Sequence, residues 1–260
     1  MKKLGKRIKK ILIVSGGRAD YDLLKPVILK LKKVKNLNIK IGITGSHLFK
    51  QNKTYKNFIR DNLNINYKVK IPFQSDTNKS ILNFFGVGVI KFGKIFSKEK
   101  FDAMIVLGDR YEIFSAVISA GFYKVPIIHI SGGETTLGVI DEPIRHSITK
   151  FANFHFVTHQ TYKKRVIQLG ENPKNIYVVG NTSVENIKNE KLLSKNEIEK
   201  KFKFKFQNEN YLITYHPVTF ARDYGILDFK NLLNFLSKKK IRVFFLPFQT
   251  QIQKIFSSQD

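Results

Sequence analysis

IVLGDRYEIFSAVISAGFYKVPIIHISGGETTLGVIDEPIRH, residues 105–146, decides the fold. An apolar run closes on Gly108-Asp109-Arg110 and a helical segment follows. A second apolar run closes on His129-Ile130-Ser131-Gly132-Gly133-Glu134, and the acidic pair Asp141-Glu142 opens another helix. Such alternation reads as parallel strands joined by crossover helices, and in an open α/β sheet ligands bind beyond the carboxyl ends of the strands. Asp109, Arg110, His129, Glu134, Asp141, Glu142, Arg145 and His146 are therefore expected around one crevice. Acids beside basic groups and Gly-rich backbone suit acid–base chemistry on a phosphorylated substrate.

The same alternation continues outward. Residues 10–15 (KILIVS) read as a buried strand, Gly16-Gly17 as a turn, and 21–33 as a helix. Residues 38–44 form a second strand closing on Gly45-Ser46-His47, which makes His47 a candidate substrate contact at the same edge. Residues 65–71 give a weaker strand, and 81–96 have helical periodicity despite three glycines. Further strands are expected at 103–107, 126–130, 154–158 and 176–179. Together they predict a doubly wound parallel sheet in a first domain, residues 1–186. Residues 187–209, rich in Lys, Glu and Asn, read as a linker or peripheral helix. At 210–260 a second domain begins, with strands at 211–215 and 241–246 around a helix at 227–238. One or two βα units cannot bury both faces of a sheet, so this second domain is expected to be incomplete.

The chain of 260 residues has no cysteine, which excludes disulfides, thiolate metal sites and thiol nucleophiles. The apolar part of the basic N-terminus is too short for a secretory signal, and no run reads as membrane-spanning, so a cytoplasmic protein is expected. A formal charge of +26 is the footprint of a polyanion binder. However, the 38 Lys against 8 Arg are scattered over helix faces, without a nucleic-acid motif. They read as solvated surface that favours an anionic substrate, and no nucleic-acid partner is expected.

Several motif residues have two readings. The Gly16-Gly17-Arg18 turn is neither a dinucleotide fingerprint nor a P-loop, although Arg18 and the helix N-terminus could meet a phosphate. Asp109 is either a helix cap or a site carboxylate, and Arg110 is one candidate partner for it. His129, inside an apolar strand, is either a core histidine or a catalyst. His216, before Pro217, sits at a strand end of the second domain and suits a phosphate contact or proton transfer. The histidines lack metal-site spacing, so neither metal nor cofactor is expected.

Arg18-Ala19-Asp20-Tyr21, residues 107–112 (LGDRYE), 129–134, Ile140-Asp141-Glu142 with Ile144-Arg145-His146, 166–171 (VIQLGE) and 214–219 (TYHPVT) resemble the hydrolysing UDP-N-acetylglucosamine 2-epimerases of sialic and nonulosonic acid synthesis. The resemblance runs in order through nearly the whole chain. It implies a GT-B-type pair of Rossmann-like domains, a UDP-sugar partner and a homo-oligomer. It also implies a reaction in which UDP leaves by elimination to a 2-acetamidoglucal and water adds to give N-acetylmannosamine. By position, Asp109 and Asp141 match catalytic carboxylates, and Arg18, Arg145 and His216 match positions near the diphosphate. Ser131 stands where some members have Glu, so Glu134 is assigned that role. The family's second domain continues further, which predicts weak UDP-sugar binding and little turnover for this chain. The same chemistry on UDP-N,N′-diacetylbacillosamine, or an inactive fragment binding polyanions, are the competing readings.

Overall fold

In the computed structural model, residues 7–49, 53–72, 77–189, 191–215, 225–239 and 241–245 are described. Seven strands form one parallel sheet: β1 (Lys9–Ser15), β2 (Leu37–Ile43), β3 (Tyr67–Lys68), β4 (Ala103–Leu107), β5 (Ile127–Ile130), β6 (Phe154–Val157) and β7 (Ile176–Val178). Their spatial order is β3-β2-β1-β4-β5-β6-β7. The chain therefore runs from β1 to the β3 edge, then returns to the other side of β1 at β4. That reversal leaves a crevice between the carboxyl ends of β1 and β4, the usual ligand position in such sheets.

Parallel neighbours require crossovers, supplied by α1 (Arg18–Lys32), α2 (Lys56–Arg60), α3 (Asn78–Lys98), α4 (Tyr111–Phe122), α5 (Asp141–Phe151) and α6 (Gln160–Gln168); α7 (Thr182–Asn189) follows β7 and packs against α1. Side chains alternate across a strand, and here both faces are covered. Leu12, Val14, Met104 and Val106 pack with Phe84, Phe92 and Phe96 of α3 and Ile113 and Val117 of α4. Ile11, Ile13 and Ile105 pack on the other face with Tyr21, Leu24 and Ile28 of α1 and with Phe58 of α2.

Several boundaries differ from the sequence expectation. The first helix begins at Arg18, because the Asp20 carboxylate accepts the Gly16 and Gly17 amides at 2.9 and 3.0 Å and fixes its first turn. It continues through Pro26, which cannot donate to the Asp22 carbonyl; the Asn186 side chain of α7 donates to it instead. The weak strand at 65–71 contracts to Tyr67–Lys68, an edge strand paired only with β2. At 21 residues, with a mean hydropathy of 1.3 in its best window, α3 meets the length and composition of a membrane span, against the expectation of no such run. Its Phe84, Phe92 and Phe96 nonetheless lie in the core.

Met1–Thr136 with Asp141–Asn189 form one compact unit, and Leu137–Ile140 with Glu190–Asp260 a second. Within the second, α8 (Lys195–Phe202) starts at a Ser194–Glu197 capping box. A parallel pair, β8 (Asn210–Ile213) and β9 (Arg242–Phe245), is joined through α9 (Ile226–Ser237). Phe204, Phe206 and Phe244 pack there in tilted and edge-to-face contacts, as do Tyr215, Phe229 and Phe245.

Candidate functional site

The carboxyl ends of β1, β2, β4, β5 and β6 each run into a short turn, and the polar residues of the first unit gather on these turns. At β1, Asp20 is buried and occupied by the Gly16 and Gly17 amides. Burial pushes its carboxyl up to about 6, with nearby Arg110 opposing that shift. The amides that would greet a phosphate at this helix start are thus already taken by the chain's own carboxylate. Arg18, the first helical residue, keeps its side chain largely in solvent, 3.8 Å from Asp22.

His47, at the end of β2, is placed differently from the expectation of a substrate contact. It is fully buried, with Nε2 2.8 Å from Ser15 Oγ and Nδ1 2.7 Å from Thr54 Oγ1. Burial, reinforced by the Arg110 charge, lowers its pKa to about 4. Both nitrogens are spent within the protein, so the ring fastens the β1 and β2 turns together.

At β4, Asp109 does not cap the following helix. Arg110 is the cap residue there, and its side chain makes no cap hydrogen bond. Nor is Arg110 the partner of Asp109. Its guanidinium makes a two-pronged contact with fully buried Glu112, Nη2 at 2.8 Å and Nε at 3.1 Å. Asp109 instead pairs with Arg145 on α5.

Arg145 is 5% exposed and surrounded by acceptors. It bonds Asp109, the Glu134 carbonyl at 2.9 Å and Thr136 Oγ1 at 3.1 Å, and lies 3.4 Å from Glu142 Oε2. Glu142 accepts from the Thr136 amide and lies 3.0 Å from His146 Nε2. His146 Nδ1 is buried without a hydrogen-bond partner among the described residues. Asp141, the first residue of α5, has its carboxyl raised above the usual range, chiefly by burial and next by the neighbouring Asp109 charge. One carboxylate held on an arginine therefore stands near a second that favours its proton. This pairing suits complementary base and acid roles.

At β5 the chain turns sharply through Ser131 and Gly133, both left-handed at φ 64° and 78°. Gly133 is required: a Cβ there would lie 2.7 Å from the Tyr162 carbonyl and from Val166 Cγ2. Arg165 donates to the Gly133 carbonyl, and Thr158 Oγ1, just past β6, donates to Glu134 Oε1 at 2.9 Å. The fixed turn so delivers Glu134 toward the Asp109–Arg145 pair, whose guanidinium holds its carbonyl.

Asp109, Glu134, Asp141, Arg145 and His146 are thus linked in one cluster, Arg18 stands apart at the start of α1, and His216 lies outside the described residues. Sequence reasoning passed over Asp20, Glu112, Thr136 and Thr158. Only Glu112 carried a signal, an acid two residues beyond Arg110 in an otherwise apolar helix. Among the described residues no three of His, Cys, Asp and Glu group as a metal set.

Comparison with known proteins agrees with this architecture. The chain is 38% identical over 233 residues to GDP/UDP-N,N′-diacetylbacillosamine 2-epimerase (hydrolyzing) of Campylobacter jejuni, covering 89% of this chain and 60% of the relative. It is 38% identical over 218 residues to the polysialic acid biosynthesis protein P7 of Escherichia coli, covering 82% and 55%. The chain thus spans little more than half the length of these relatives. In fold it is similar to the UDP-GlcNAc 2-epimerase from Neisseria meningitidis solved with UDP-GlcNAc, with a TM-score of 0.76, 23% identity, and coverage of 96% and 70%. That likeness assigns the GT-B-like α/β architecture. Residues 29–259 match the family described as UDP-N-acetylglucosamine 2-epimerase, and with that match spanning most of its length the chain belongs to this family.

Proposed function

We propose that the site performs a hydrolysing 2-epimerisation, converting UDP-N-acetylglucosamine and water to N-acetylmannosamine and UDP. The observation that carries this reading is the Asp109–Arg145 ion pair with Asp141 beside it at the sheet's switch point. In the elimination, Asp109 takes the C2 proton, the C–H electron pair forms the C1=C2 bond, and the C1–O bond breaks with its electrons leaving on UDP. The C2 proton is weakly acidic, which calls for a base held in place. The departing diphosphate needs positive charge, and the proposed contact in the first unit is Arg18, from the α1 start. Arg145, already shared among Asp109, Glu142, Thr136 and the Glu134 carbonyl, holds the carboxylates in register. In the hydration, water adds its oxygen to C1 and a proton reaches C2 from the opposite face. Asp141, with its raised carboxyl pKa, is the proposed proton donor, and Glu134 the group that orients the water. No step requires a metal or a redox cofactor.

A second reading keeps this chemistry and changes the sugar to UDP-N,N′-diacetylbacillosamine, which the name of the Campylobacter jejuni relative supports. The test is incubation of the chain with each UDP-sugar in turn, following free UDP and the released sugar. Slow release of both products is expected of a chain that spans little more than half its relatives' length, falling about 100-fold further in Asp109→Asn. Release unchanged in that variant would overturn the assignment of Asp109, and no release from either sugar would overturn the proposed reaction for this chain.

A further inference from the structure

We infer that buried His129 is a positioning residue, the middle of a strut from the Gly108 carbonyl to Thr149 that sets the spacing of Asp109 and Arg145. The activity part of its test rests on the reaction proposed above; the structural part does not.

His129 is the third residue of β5 and fully buried. Its Nε2 lies 2.8 Å from the Gly108 carbonyl, and its Nδ1 lies 3.2 Å from Thr149 Oγ1. A carbonyl oxygen only accepts, so Nε2 must carry the ring proton. Burial keeps the ring neutral, with its pKa lowered to about 4. Nδ1 then offers a lone pair, and the single Thr149 hydroxyl proton is shared between it and the Arg145 carbonyl. The partners therefore fix a single tautomer.

What the ring connects gives the strut its purpose. Gly108 immediately precedes Asp109, and Thr149 lies one helical turn beyond Arg145 on α5. Thr149 is itself fully buried, and its Oγ1 is 3.0 Å from the Arg145 carbonyl. The β4 turn and α5 are thus joined twice, by His129 beneath and by the Asp109–Arg145 pair at the crevice. An ion pair alone leaves the long arginine side chain free to follow any drift between the two backbones. A rigid aromatic link a few ångströms below removes that drift, which matters because misplacement by about 1 Å can cost on the order of 100-fold in rate.

The test uses Thr149→Val, His129→Leu and His129→Gln. Valine keeps the shape of threonine without its donor, and glutamine keeps an N–H for the Gly108 carbonyl. Steady-state release of UDP is measured beside the guanidinium ¹⁵N–¹H resonances of Arg145, which report the ion pair without turnover. Thr149→Val is expected to lower kcat about tenfold and His129→Leu about 100-fold, each with KM within about twofold, while His129→Gln recovers part of the loss. The Arg145 resonances should shift and exchange faster in Thr149→Val. A KM effect with kcat intact, or glutamine no better than leucine, overturns the inference. Should the wild-type chain turn over neither sugar, the proposed reaction fails and the strut is judged by Arg145 alone. Unchanged Arg145 resonances in Thr149→Val then refute it, and that milder variant also serves if His129→Leu does not fold.

Discussion

Replacing Gly133 with alanine is expected to destabilise the first unit by about 3 kcal/mol, from two separable causes. A left-handed backbone, here φ 78°, costs an L-residue roughly 1–2 kcal/mol. The new methyl would also sit 2.7 Å from the Tyr162 carbonyl and Val166 Cγ2, and the former is helix backbone with little freedom to retreat. Overpacking of this kind costs about 1–3 kcal/mol. Gly180 isolates the first cause: its φ is 77°, yet nothing lies within 4 Å of the place a methyl would take. Gly180→Ala should therefore cost only about 1 kcal/mol. The chain has ten tyrosines and no tryptophan, so urea unfolding is followed by tyrosine fluorescence and circular dichroism. With a urea dependence of about 2 kcal/mol per molar, the two variants should differ in midpoint by about 1 M. Coincident midpoints would show that the β5 turn yields to a methyl, and the argument that it is fixed by α6 would fall.

Arg145→Met should destabilise by about 3 kcal/mol in the same assay, because it strands Asp109 and Glu142 in partly buried positions; a loss under 1 kcal/mol would mean both reach solvent. His47 and His129 are neutral in the fold, with pKa values lowered to about 4 from 6.5. The unfolded chain takes up their protons first. Their contribution is thus complete above pH 6.5 and declines as pH falls toward 4, by at most about 3 kcal/mol per ring. Imidazole NMR should show both rings silent from pH 8 to 5, and midpoints near 6.5 would contradict their burial. Asp20 has the opposite sign, its carboxyl raised to about 6 from 3.8, so its ionisation costs stability as pH rises through that window. Asp20→Asn should therefore stabilise the chain by about 1–3 kcal/mol at pH 7.5, an advantage that disappears below pH 4. An equal gain at both pH values would place its cause elsewhere.

Strand ends were legible in the sequence because a buried parallel strand is a continuous apolar run, and its stop is marked by residues such as Gly108-Asp109 or Gly132-Gly133 that neither pack nor pair. The gathering of Asp109, Glu134, Asp141, Arg145 and His146 followed from those stops and from the acidic pair that opens α5, whereas Arg110 and His129, expected beside them, turn to Glu112 and into the core. Pairing was not legible. Nothing near Asp109 says that its partner is Arg145, 36 residues away, rather than adjacent Arg110, because the choice depends on how α5 crosses β4. Arg110 turns instead to Glu112, whose complete burial demands a cation. His47 misled for a related reason. A histidine at a strand end looks available to a ligand until the partners on both ring nitrogens, Ser15 and Thr54, are seen. Edge strand β3 was overread because only one neighbour holds it, so its apolar run outlasts its pairing.

Because all seven strands point the same way, the connections of the first unit sort by end. Those after the strands build the crevice, while the turns at 33–36, 99–102, 123–126 and 152–153 lie at the opposite end. The chain contains no cysteine, so one thiol introduced at exposed Lys35 or Lys100 would be unique. Such a thiol is a handle for a dye or a sensor chip, and a molecule tethered there would present its crevice to the solution with its chemistry undisturbed.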